Sequence, residues 1–124
     1  GRSDAVIDYH LGIRAMADWV QNYLQAVGAS ARQVSGERAP FVEGELGTDA
    51  ARPTLLFYEL YDTQPAAGQP GWKVDPFAAE IVPDHDGHPR LTGRGAFNSK
   101  GPLVAALAAM RAFTEIGIEP PVNV

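Results

Sequence analysis

The sequence predicts a layered α/β domain with a mixed β-sheet, on three observations. Residues from about Ala5 to Val27 and from about Lys100 to Ile116 carry apolar side chains at helical spacing. Between them lies Thr54-Leu55-Leu56-Phe57-Tyr58-Glu59-Leu60, a nearly continuous apolar run of the kind that forms a strand buried on both faces. Shorter alternating segments around that run supply further strands.

In the first helix Ile13, Met16, Val20, Leu24 and Val27 share a face, Trp19 and Tyr23 pack at its edge, and Gly28 is placed to end it. Phe41 to Leu46 alternates as a short strand, and Gly47 to Pro53 is a polar turn. After the central run, Tyr61 to Pro76 holds three prolines and two glycines and reads as an ordered surface loop. Ala78 to Val82 and Arg90 to Thr92 read as two strands joined by a turn at 83–89. The second helix places Pro102 in its first turn, where a missing N–H costs nothing. Leu103, Leu107, Met110 and Phe113 line its buried face, the intervening alanines permit close packing, and Gly117 ends it. Pro121-Val122-Asn123-Val124 opens like a strand, so the natural polypeptide is expected to continue.

At 124 residues the chain can build one modest core. A net charge of −5 argues against nucleic acid or an anionic membrane as partner, both of which reward a basic surface. With no cysteine, disulfides and thiolate metal sites are excluded. No apolar run approaches the ~20 residues that span a bilayer. Gly1-Arg2-Ser3-Asp4 carries no signal-peptide pattern, and a cytoplasmic location is the expectation.

In layered α/β sheets, sites form in loops at the carboxyl ends of strands. Two loops qualify. One follows the central run, Glu59-Leu60-Tyr61-Asp62-Thr63-Gln64-Pro65, and leads to Trp72-Lys73-Val74-Asp75-Pro76-Phe77. The other is Gly93-Arg94-Gly95-Ala96-Phe97-Asn98-Ser99-Lys100-Gly101, which opens the second helix. Other readings of the second loop fail. A nucleotide phosphate loop needs Gly-Lys-Ser/Thr before its helix, whereas the order here is Ser-Lys-Gly. A dinucleotide fingerprint needs glycine at position 98, which is Asn. No Ser-His-Asp or Cys-His set can be assembled.

In order and spacing these segments resemble the di-zinc exopeptidases that include carnosinase, succinyl-diaminopimelate desuccinylase, acetylornithine deacetylase and the aminoacylases (peptidase family M-twenty). That family runs a buried strand into Gly-His-x-Asp-x-x-Pro. A Trp-x-x-x-Pro-Phe segment follows in its dipeptidase branch, then Gly-Arg-Gly-x-x-Asp-x-Lys-Gly and a helix. The resemblance covers essentially the whole chain. It implies a three-layer zinc-exopeptidase-like domain, with residues 1–124 as the N-terminal part of a catalytic domain whose remainder, and a dimerisation domain, lie outside the chain. It also implies zinc, a small peptide or N-acyl amino acid substrate, and a homodimer.

The resemblance places the family's His ligand at Leu60, its metal-supporting catalytic carboxylate at Asp62, and its metal-bridging Asp at Asn98. Leucine has no lone pair to give, and a neutral amide oxygen is a far poorer zinc ligand than a carboxylate. Asp62, Gln64, Trp72, Arg94, Lys100 and Gly101 keep the pattern. Two functions follow from this departure: an amidohydrolase with altered metal ligands, or a non-catalytic homologue that binds or assembles. Each residue also has a structural reading. Asp62 can brace its loop, Asn98 and Ser99 can cap the second helix, and Arg94 can pair with a carboxylate. Lys100 can anchor the loop, while Trp72 and Phe77 can pack. The cluster Asp84, His85, Asp86 and His88 reads as a solvated hairpin tip.

Overall fold

The computed structural model describes residues 2–37, 39–66 and 68–124, with side chains from His10 onward. Its elements are α1 (Arg2–Ala26), β1 (Ser30–Val34), β2 (Phe41–Glu45), β3 (Glu80–Pro83), β4 (Pro89–Thr92) and α2 (Lys100–Ile116). The chain divides into two compact units, residues 1–58 with 104–124, and residues 59–103.

The first unit is built on α1. Ile13, Ala17, Val20, Leu24 and Val27 recur at the helical period and are buried, as are Leu107 and Met110 of α2. Full burial of an Ile, Val or Leu contributes about 1.5–3 kcal/mol, and Ile13, Val20, Leu24 and Val27 are 3–9% exposed. Both helices stop in the same way. Gly28 takes φ +89°, its N–H reaches Gln25 O at 3.0 Å, and Ala29 N–H reaches Leu24 O at 3.0 Å. Gly117 takes φ +69°, and the N–H groups of Gly117 and Ile118 reach Thr114 O and Phe113 O. These paired bonds satisfy the last carbonyls, and the left-handed turn they need suits glycine. The hydroxyl of Thr114 donates to Val27 O at 2.9 Å, tying α2 to the end of α1.

β1 and β2 pair antiparallel, from Ser30 opposite Glu45 to Val34 opposite Phe41. Arg32 faces Glu43 with Nη2 to Oε2 at 2.7 Å, an exposed pair worth at most about 1 kcal/mol. β1 is absent from the sequence-based expectation.

Beyond β2, Leu46 and Val124 exchange backbone bonds of 2.8 and 2.9 Å, as an antiparallel pair does. Thr54 bridges Asn123 in parallel, with Asn123 N–H to Pro53 O at 2.9 Å and Leu55 N–H to Asn123 O at 2.8 Å. Residues 122–124 thus run between an antiparallel and a parallel neighbour, the beginning of a mixed sheet. The run Thr54–Leu60 departs from the buried strand expected of it. Only Thr54 is bridged, and Leu56 and Tyr58 are 87% and 78% exposed. A strand gains burial on both faces only with neighbours on both sides and helices above and below. Its neighbour in the described residues is the three-residue segment 122–124.

The second unit contains the β3–β4 hairpin, Glu80 opposite Thr92 through Pro83 opposite Pro89, close to the expected boundaries. Asp84 organises its tip. Oδ1 accepts the N–H groups of Asp86 and His88 at 2.9 Å, and Oδ2 accepts Arg90 Nε at 2.7 Å. The Arg90 hydrogen bond, with the backbone N–H donors, holds the Asp84 carboxyl below the usual carboxylate range. Phe77 is 61% exposed instead of packed, which corrects its structural reading.

Candidate functional site

Both candidate loops fall within the second unit. They meet at Gly95, which takes φ +88°. A Cβ built there would lie 2.6 Å from Thr63 Cγ2 and 2.8 Å from Ser99 Oγ. A side chain there would be strained by the positive φ and would press on Thr63 and Ser99, so glycine is what allows the 59–65 loop and the turn to touch.

The turn folds around one carbonyl. Gly95 O accepts the N–H groups of Ser99, Lys100 and Gly101 at 3.4, 2.9 and 3.4 Å, and the Ser99 hydroxyl at 3.4 Å. These N–H groups stand at the start of α2 and would otherwise be orphans. The helix is therefore capped by its own chain, and its N-terminus is not a vacant anion cradle. The expectation of side-chain capping changes accordingly. Ser99 contributes its carbonyl, which accepts Leu103 N–H at 3.2 Å, while its hydroxyl donates backwards to Gly95. Pro102 has no N–H to offer a capping oxygen. Gly101 permits the wrap, because a Cβ there would sit 2.0 Å from Ala96 O.

Arg94 fastens the turn to the loop before it. Its N–H reaches Pro76 O at 2.6 Å, its guanidinium lies 5.1 Å from the Trp72 ring centroid, and Nη2 donates to Gln69 Oε1. Gln69 in turn donates to Pro65 O at 3.0 Å. Arg94 thus stacks on an aromatic ring and bonds an amide, where the sequence suggested a carboxylate partner. Its Nε is buried without an acceptor among the described residues. Trp72 is half-buried beneath it, as a packing residue should be.

The three positions singled out for metal chemistry lie within three residues of Thr63 or Ser99 in sequence. Leu60 is 45% exposed, and Asp62 and Asn98 are also exposed. Neither Asp62 nor Asn98 makes a side-chain hydrogen bond to another described residue, so neither braces nor caps here. Asp62 is felt electrostatically by its neighbour: burial, and then the Asp62 charge, raise the pKa of the Tyr61 phenol. The backbone N–H of Lys100 donates to Gly95 O, a bond that does not depend on its side chain.

This donor set does not fit zinc. Position 60 offers hydrocarbon, position 98 a neutral amide, and position 62 a single carboxylate. Among the described residues the group of carboxylates and imidazoles close enough to share an ion is Asp84, Asp86 and His88, at the hairpin tip. There the Asp84 oxygens are already taken by Arg90 and two backbone N–H groups.

Sequence reasoning missed Asn123. It is 8% exposed, donates to Asp49 O at 2.8 Å and Arg52 O at 3.3 Å, and accepts Asp49 N–H at 3.1 Å. Its signal was a polar residue interrupting an apolar alternation. An open cleft beside it, lined by Gly47, Asp49, Arg52 and Glu119 among others, includes none of the candidate site residues. No helix among the described residues is long and apolar enough to cross a membrane.

Residues 56–124 match the model of peptidase family M20/M25/M40, a span that holds both loops. The chain is 36% identical over 118 residues to a Cys-Gly metallodipeptidase of Schizosaccharomyces pombe, covering 87% of this chain and 24% of that protein. It is 39% identical over 85 residues to the human Beta-Ala-His dipeptidase, covering 68% of this chain and 16% of that one. Among solved structures, an M20 family metallo-carboxypeptidase of Sulfolobus solfataricus superposes with TM-score 0.72 at 30% identity, over 97% of this chain and 28% of that one. Human carnosine dipeptidase 1 gives 0.70 at 33%, over 83% and 23%. The chain spans between 16% and 28% of the length of these relatives, and the fold class is the α/β class expected from its sequence. On the match to residues 56–124 and these likenesses, the chain belongs to peptidase family M20/M25/M40.

Proposed function

We propose that the protein to which this chain belongs is an amidohydrolase that cleaves peptide or amide bonds in small, carboxylate-bearing substrates. Residues 1–124 would be the N-terminal part of its catalytic domain. The observation that carries this reading is the likeness to dipeptidases over both loops, with Asp62, Gln64, Trp72, Arg94, Lys100 and Gly101 retained in pattern. The names of the relatives support this substrate class: Cys-Gly and β-Ala-His are both small amides bearing a carboxylate. Any zinc such a protein uses would be held by ligands outside positions 60 and 98. Its homodimer would form through a domain outside these residues.

Leu60 and Asn98 favour a second reading, a homologue that binds such substrates without cleaving them. Steady-state hydrolysis separates the two. The full-length protein, supplied with zinc, is assayed against Cys-Gly, β-Ala-His and an N-succinyl amino acid. Turnover of any of them supports the amidohydrolase. Saturable binding without turnover supports the homologue, and neither binding nor turnover contradicts both.

A further inference from the structure

The geometry around Gly95 points to a site wall that has given up metal binding while keeping its architecture. We propose that the meeting point of residues 59–64 and 93–101 supplies no metal ligand, and that zinc does not bind there. This rests on the amidohydrolase reading only for the existence of a substrate site.

The features that shape the backbone are intact. Gly95 has space for nothing but hydrogen against Thr63 and Ser99. Four donors close on its carbonyl. Gly101 admits Ala96 O, and Arg94 is held by Trp72 and Gln69. The side chains presented by this frame, in contrast, lack what a dication needs. Zinc takes four N, S or O donors in tetrahedral array. Leu60 gives none, Asn98 gives an uncharged oxygen, and Asp62 alone cannot neutralise or enclose an ion. The two histidines of this unit, His85 and His88, belong to the hairpin tip.

The test is a zinc count on the full-length protein, stripped with chelator, dialysed against zinc and read by elemental analysis and calorimetry. Three single variants, Leu60→Ala, Asp62→Asn and Asn98→Ala, are compared with the parent. All three side chains are exposed, so folding should tolerate the changes, and circular dichroism with a melting temperature checks that it does. Should an alanine variant fail to fold, Leu60→Met and Asn98→Ser read the same positions with smaller perturbations. The expected result is zinc stoichiometry unchanged and affinity within about twofold of the parent in every variant. A parent that takes up no zinc gives the same answer. A folded variant whose zinc affinity falls tenfold or more, or that loses one ion per protomer, overturns the proposal. The double variant L60H/N98D should gain an ion or at least tenfold in affinity. A folded double variant with no gain contradicts the placement of both positions at one centre. Because the readout is bound zinc, failure here is separate from failure to hydrolyse dipeptides.

Discussion

Replacing Asn123 by Ala should loosen the junction between residues 46–55 and 122–124. The side chain makes three hydrogen bonds, two donated to Asp49 O and Arg52 O and one accepted from Asp49 N–H. Each bond contributes about 0.5–1.5 kcal/mol net, and a buried partner left unsatisfied costs about 1–3 kcal/mol. The bond to Arg52 is long at 3.3 Å, and the region is part-buried, so water can recover some of the loss. A local penalty of about 2–4 kcal/mol follows. Amide hydrogen exchange reads it site by site, because local opening sets protection. At ~1.4 kcal/mol per factor of ten, protection of the Asp49 and Asn123 amides should fall by roughly a hundredfold. Protection of Leu24 in α1 should change far less. Asn123→Leu keeps the branched shape, adds bulk and leaves the same groups unpaired, and it should be at least as damaging as alanine. Protection unchanged within a factor of two in both variants would refute the account of Asn123 as a polar clamp.

Two further predictions concern charge. Asp62→Asn should lower the Tyr61 pKa part of the way back, because removing a neighbouring negative charge favours the phenolate while burial still disfavours it. An NMR titration of the Tyr61 ring that shows no difference would mean the carboxylate points elsewhere. Asp84 has a depressed pKa, so its contribution to the hairpin is present above the unfolded-state carboxyl pKa and is lost as pH falls through the lower folded value. Hairpin amide protection should therefore be flat near neutrality and decline only once the pH falls below the ordinary carboxyl range. Asp84→Asn should abolish that decline, and a dependence that survives the change would contradict it.

What the sequence made legible was local and periodic. The apolar faces of α1 and α2 and the stops at Gly28 and Gly117 follow from 3.6-residue spacing and from glycine's access to left-handed turns. The proximity of the two loops was legible through resemblance, and Gly95 is its physical mark. The rest depended on partners distant in sequence. Ser30–Val34 carries too many polar residues to advertise a strand, and it is one because β2 lies beside it. Thr54–Leu60 advertises a buried strand, yet its neighbours decide whether it becomes one. Asn123 became a clamp only when residues 49 and 52 arrived across more than 70 positions of chain. Ser99 has the right residue type for a cap, but Pro102 removes the donor its hydroxyl would have met.

The 59–65 loop and the glycine-rich turn close on one another at Gly95. Since the chain has no cysteine, a Thr63→Cys, Ser99→Cys pair tests it without background from these residues. Both side chains reach the same spot over Gly95, and a disulfide requires its two Cβ atoms about 3.5–4.5 Å apart. Mild oxidation should produce an intramolecular bond between positions 63 and 99, read by peptide mass mapping. Two thiols that stay free under those conditions, in a protein that keeps its fold, would contradict the claim.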